Sequence, residues 1–245
     1  MAGKAEGLYF RQLLAGRDFA AEDRVAQMMA NFTYLIGDRA SGEALIVDPA
    51  YAIDELIQVA GSDGMSITGA LVTHFHPDHI GGDMAGYPIE GARELLDRLD
   101  VPLHVNEEEK PWVQGMLGIG DDSLEAHKNG DTVKCGALEV ELVHTPGHTP
   151  GSQCFYLASE GIFVSGDTLF LDGCGRTDLP GGDPTQMYET LLHRLTRFPD
   201  TSVVYPGHLY SEDASRSLGD TRRQNAVFSI QDPDSWLAAF GNAGT

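Results

Sequence analysis

Cysteine is scarce in this chain: Cys135, Cys154 and Cys174 are the only three in 245 residues. So sparse and odd a count excludes a disulfide framework and fits reduced thiols in a reducing compartment. Basic residues are also few, 16 Lys and Arg against 37 Asp and Glu, for a formal charge of −21. Such a surface repels phosphate backbones, which argues against nucleic acid and anionic membrane as partners. No apolar run approaches the length of a membrane span, and the opening MAGKAEGLYFRQLLAG lacks the apolar core of a signal peptide. These absences point to a cytoplasmic protein.

What is present is an ordinary globular balance of 42% apolar and 22% charged residues. That length and composition suit one domain with a buried core. Short apolar strands alternate with helical stretches. ALIVDPA (44–50) reads as a buried strand stopped by Asp48-Pro49, with AIDELIQVA (52–60) as the helix after it. GALVTH (69–74) is a second buried strand, ARELLDRL (92–99) a helix and VPLHV (101–105) a short strand. ALEVELVHT (137–145) alternates as a half-buried strand does, and QCFYL (153–157), GIFVSG (161–166) and SVVYPGH (202–208) are further strands. DPTQMYETLLHRLTRF (183–198) is the clearest helix, capped by Asp183 and entered at Pro184. The stretch 115–131 reads as a loop bordering a site.

The chemistry gathers where strands end. In LVTHFHPDHIGG, His74 and His76 lie two apart after a strand, and alternate residues of an extended chain share a face. Both imidazoles can then reach one cation, while Pro77 turns the chain and brings Asp78 and His79 toward a neighbouring position. VHTPGHTPGS sets His148 at the tip of a turn; FVSGDTLF sets Asp167 after a strand; VVYPGHLY sets His208 after another. Taken singly, a turn histidine or a strand-end aspartate is an ordinary surface feature. Together they repeat one design, enough for two cations that share a bridging carboxylate and leave a position for water. His144 reads as structural or as support for a ligand, and Cys174 as a small buried residue.

The series His74-x-His76-x-Asp78-His79, then His148, Asp167 and His208, resembles the metallo-β-lactamase superfamily. HTPGHTPGS, SGDTLFLDGCGRTD and YPGHLY are similar to its glyoxalase II and persulfide dioxygenase branch, over roughly Asn31 to His208. The resemblance implies an α/β fold, the αβ/βα four-layer sandwich, with a metal site at one edge of the two sheets. It leaves residues 1–30 as an N-terminal extension able to roof the pocket and 209–245 as a short tail, too short for the helical glutathione-binding domain of glyoxalase II.

By the same resemblance His74, His76 and His148 hold one ion, Asp78, His79 and His208 a second, and Asp167 bridges them. Asp78 is the catalytic carboxylate, orienting a metal-bound hydroxide or taking its proton. Arg176 and Tyr210 border the substrate. The implied cofactors are two divalent transition-metal ions, zinc in the first place with iron or manganese as alternatives. The expected function is glyoxalase II-like hydrolysis of a thioester or other acyl ester. Two alternatives stand beside it: a persulfide dioxygenase with a single Fe(II) on His74, His148 and Asp167, and a metal-bound binding protein without turnover. GCGRTD favours the dioxygenase, whereas LPGGD after it favours a general hydrolase. The partner is a small molecule, with a homodimer as the protein assembly allowed for.

Overall fold

A computed structural model of the chain describes residues 7–241. Its first half runs β1 (Leu8–Leu14), α1 (Arg24–Met29), β2 (Phe32–Asp38), β3 (Glu43–Val47), α2 (Ile53–Ser62), β4 (Ser66–Leu71), α3 (Pro77–Ile80), β5 (Gly82–Met84), β6 (Tyr87–Ile89), α4 (Ala92–Arg98), β7 (Leu103–Asn106), α5 (Lys110–Leu117) and β8 (Leu124–His127). The second half runs β9 (Thr132–Cys135), β10 (Leu138–His144), β11 (Gln153–Leu157), β12 (Ile162–Gly166), α6 (Pro184–Leu192), β13 (Val203–Pro206), β14 (Arg216–Ser217), α7 (Leu218–Gln224) and α8 (Pro233–Phe240).

Each half supplies one six-stranded sheet, ordered β1-β2-β3-β4-β7-β8 and β14-β13-β12-β11-β10-β9. Parallel neighbours need a crossover, and α2 carries the chain from β3 to β4 as α6 carries it from β12 to β13. The two-residue period of a strand then sorts side chains between layers. Ala44 and Ile46 of β3 pack with Ile53, Leu56 and Ala60 of α2, whereas Leu45 and Val47 face Val140, Leu142, Phe155 and Val164 of the other sheet. Cys154, Phe163 and Val204 point out the far side, against Met187, Leu191 and Trp236. Three apolar layers therefore separate helix, sheet, sheet and helix, the αβ/βα sandwich. Phe155 sits fully buried at its centre, where truncation to Ala costs about 3–5 kcal/mol.

The structure revises four expectations. The segment before Asn31 is mostly part of the fold rather than an added roof: β1 pairs antiparallel with β2 from Leu8 to Leu14 and forms the edge of the first sheet, and Met29 alone of the described residues before Asn31 lines the cavity. Residues 1–6 lie outside the described residues. The stretch after His208 is more than a tail, because β14 pairs with β13 while Leu218 and Trp236 complete the core under the second sheet. The helix expected over 183–198 breaks at His193, whose φ of −124° leaves the helical region. A 3-10 turn follows and keeps Leu195 and Phe198 buried. The stretch 115–131 holds the end of α5 and the strand β8, and none of its residues lines the cavity described next.

Candidate metal centre

Four chain reversals meet at one edge of the sandwich. After β4 the chain stays extended through His76, and Pro77 then opens the short helix α3, which carries Asp78 and His79. The turns after β10, β12 and β13 deliver His148, Asp167 and His208. His148 Nε2 stands 3.3 Å from His74 Nε2 and 3.0 Å from His76 Nδ1. Beside this trio, His79 Nε2 and His208 Nε2 are 3.1 Å apart, with Asp78 Oδ2 at 3.6 and 3.5 Å from them. Asp167 spans both groups: Oδ2 lies 3.7 Å from His148 Nε2 and 3.3 Å from His208 Nε2, and Oδ1 lies 3.3 Å from His79 Nε2.

The far nitrogens show what these near ones carry. His148 Nδ1 faces the Arg176 carbonyl at 2.6 Å and His208 Nδ1 the Met29 carbonyl at 2.8 Å. A carbonyl only accepts, so each Nδ1 bears the hydrogen and each Nε2 turns a lone pair inward. His79 Nδ1 donates likewise to Asp48 Oδ2 at 2.9 Å. Thr73 Oγ1 gives its proton to Asp48 Oδ2 at 2.6 Å and accepts from His74 Nδ1 at 2.9 Å. Imidazole lone pairs facing one another at 3.0–3.3 Å repel unless a proton or cation lies between them. Asp167 Oδ1 is moreover buried without a hydrogen-bond partner. The donor set thus fits divalent metal, with orienting carbonyls and carboxylates behind the ligands.

Protonation follows the same division. Burial pushes His74 well below the usual imidazole range and, with His148 adding to it, takes His76 to about 3; His148 falls as well, chiefly by burial. Burial also opposes charge on His79, but the Asp167, Asp78 and Asp48 carboxylates outweigh it and lift that ring to about 10. His208 rises because Asp167 outweighs the same burial. Burial works against ionising Asp167 too, yet His208 and His79 hold it well below the usual carboxylate range, and they lower Asp78 in the same way. One group therefore offers bare nitrogens, while in the other the carboxylates favour a proton on His79 that a bound metal would displace.

Close approach explains the glycines of the motifs. A Cβ on Gly207, just before His208, would overlap Asp167 Oδ1, and one on Gly175 would overlap the Asp167 carbonyl and crowd His148 Nδ1.

Several residues of this centre escaped the sequence. Asp48, read there as a strand stop, occupies the left-handed region at φ 51° and accepts from Thr73 N at 2.7 Å as well as from Thr73 Oγ1 and His79. Its oxygens are engaged in hydrogen bonds, so it orients the ring rather than competing for the ion. The signal was there: an apolar strand followed by a carboxylate is the pattern that marked Asp167. Asn31 donates to Asp78 Oδ2 at 3.1 Å and is itself held by the Tyr51 hydroxyl at 3.0 Å. Buried Glu109 accepts from Phe75 N, Gly151 N and Thr149 Oγ1, and so ties the two histidine-bearing loops together. No local pattern announces Asn31 or Glu109, because their partners are remote in sequence.

The centre floors a cavity of roughly 280 Å³ whose walls include Met29, Phe170, Cys174, Leu179 and Tyr210. Tyr210 stacks on His208 with ring centroids 4.6 Å apart and an interplanar angle of 9°. Arg176 also lines it, with its guanidinium held by Asp178 at 2.8–2.9 Å. His144 stands apart from the ligands and bonds the Pro150 carbonyl at 2.9 Å, while His193 lies outside, just past the end of α6.

The family model described as the metallo-beta-lactamase superfamily matches residues 29–208, a span holding both groups of ligating side chains. The chain belongs to the metallo-beta-lactamase superfamily. Within it, the chain is 34% identical over 186 residues to the hydroxyacylglutathione hydrolase of Maricaulis maris, covering 76% of this chain and 65% of that protein. It is 32% identical over 196 residues to the human mitochondrial persulfide dioxygenase ETHE1, covering 79% and 70%. The crystal structure of ETHE1 from Myxococcus xanthus superposes with a TM-score of 0.77 at 27% identity, over 96% of this chain and 90% of that one. Metallo-beta-lactamase relatives thus include both a hydrolase and an oxidoreductase. Among the described residues no helix is long and apolar enough to cross a membrane.

Proposed function

We propose that this protein is a metal-dependent hydrolase of a thioester or other small acyl ester. The observation that carries the reading is the completeness of two ligand groups on either side of Asp167, which suits two ions rather than one. In this reading His74, His76 and His148 hold the first ion, Asp78, His79 and His208 the second, and Asp167 bridges. Ions held there would lower the pKa of a coordinated water from about 15.7 to about 7 and would polarise an acyl carbonyl. Zinc suits the imidazole and carboxylate donors, as iron or manganese would.

The chain's own groups supply the rest. Asp78, ionised and fixed by the Asn31 amide, faces the cavity and can orient the attacking water and accept its proton. The Met29, Phe170 and Leu179 walls exclude bulk water from the acyl group, which strengthens each electrostatic contact inside. Arg176 and Tyr210 at the rim are placed to meet an anionic, thiol-bearing leaving group. A thiolate departs without a proton donor, whereas an amine must be protonated as it leaves. That favours thioester over amide.

The second reading, a persulfide dioxygenase, draws support from the 0.77 superposition on Myxococcus ETHE1. It needs a single Fe(II) on His74, His148 and Asp167, with open positions for O₂ and the substrate sulfur. One preparation separates the two. Its metals are identified and counted, thiol release is followed on acyl thioesters, and oxygen uptake on glutathione persulfide. Two ions with thiol release and no oxygen uptake are expected. A single iron with persulfide-dependent oxygen uptake would overturn the hydrolase.

A further inference from the structure

A second histidine cluster lies outside this centre, on the opposite margin of the first sheet from β1. β7 and β8 run parallel with His104 opposite Glu125, and His127 follows Glu125 by two residues on the same strand. Leu103, Val105 and Leu124 of these strands belong to the core beneath the helices. Alternation therefore turns His104, Glu125 and His127 together onto the other face. There they border a cavity of roughly 390 Å³ shared with Thr132 and Val133 of β9. His104 Nδ1 is 3.0 Å from His127 Nε2 and 3.3 Å from Glu125 Oε2. Ligating atoms of all three lie within 4.8 Å of one another.

We propose that His104, Glu125 and His127 form a separate transition-metal site, suited to Zn²⁺ and completed by water. Two imidazoles and a carboxylate with an open position are a donor set that zinc accepts. The site shares no residue with the main centre. His104 is buried and its ring is neutral in the working range, since burial takes it down to about 4. Its one Nδ1 faces two acceptor atoms, and a single proton there cannot serve both fully; a cation satisfies the nitrogen pair and the carboxylate at once. On the outer side of the His127 ring, the Asp131 carboxylate lies 3.9 Å from Nδ1 and adds negative charge beside the cluster. An ion here would pin β7 to β8 and to the connection into the second half of the fold. The formal charge of −21 further enriches cations at the surface.

The test uses protein loaded with zinc at the main centre, gel-filtered, then titrated with zinc chloride by calorimetry and followed by thermal unfolding. The wild type should take up one further equivalent per chain and melt higher for it. His127→Ala and Glu125→Gln, both at partly or fully exposed positions, should each weaken that uptake by about tenfold or more and lose the added thermal shift. Turnover and main-centre metal should stay as in the wild type. Equal uptake in wild type and both variants would overturn the site, as would no uptake beyond the main centre. Loss of main-centre metal in these variants would overturn its independence.

Discussion

Asp167 carries the sharpest consequence of a single side chain. Its Oδ1 is buried without a hydrogen-bond partner, a burden that metal would relieve and that its removal would also relieve. Asp167→Ala should therefore leave a folded protein but lower bound metal and turnover by more than about 100-fold, read by metal analysis beside circular dichroism. His193→Ala is the contrast: the ring is 58% exposed just past α6, and metal content should be unchanged. If both variants lost metal equally, the ligand assignment would fail. Gly207→Ala tests the packing rather than the ligand, since the added methyl meets Asp167 Oδ1, and it should displace metal while every donor remains. Arg176 is already paired to Asp178 at the rim, so Arg176→Ala should raise KM several-fold and leave kcat alone. A fall in kcat at full metal content would move Arg176 into the chemistry.

Between elements, Glu109 is the joint to examine. It stands at the start of α5 and accepts from the backbone beside His74 and His76 and from the loop after His148. Burial raises its carboxyl from 4.5 to about 7, partly offset by the Thr149, Phe75 and Gly151 donors. A raised carboxyl means that the folded chain holds this proton more tightly than the unfolded one. Its contribution to stability is full below about pH 4.5 and is lost as pH climbs through about 7. The span corresponds to about 3 kcal/mol at most. Unfolding by urea at pH 5 and pH 8 should show a smaller drop for Glu109→Gln than for the wild type, and equal drops would refute the assignment.

At the scale of the molecule, the ligands come from both halves of the chain: His74 to His79 from the first, His148, Asp167 and His208 from the second. Metal held by these residues would fasten the two sheets at one edge, and stripping it should destabilise the whole fold. Each ion present at about 100 times its dissociation constant contributes about 2.7 kcal/mol, so two such ions correspond at this size to a fall in Tm of roughly 10–20 °C on chelation. An unchanged Tm after complete chelation would mean that the ions add nothing to the fold.

The sequence by itself determined the core and the metal-type residues, for reasons that are local. Alternation in ALEVELVHT and the apolar runs before His74 and Asp167 fixed strands and faces, since a strand's period of two is written residue by residue. The expected αβ/βα sandwich was what the family resemblance of those motifs implied, and the fold bears it out. The edge strand β1 and the helices α7 and α8 were not legible, because pairing with β2 and docking on a distant sheet decide them. Only tertiary structure brought Asp48, Asn31 and Glu109 to the centre, and only it set His104 against His127. A hydrogen bond between residues tens of positions apart leaves no periodicity in either segment, so it exists only once the chain has folded.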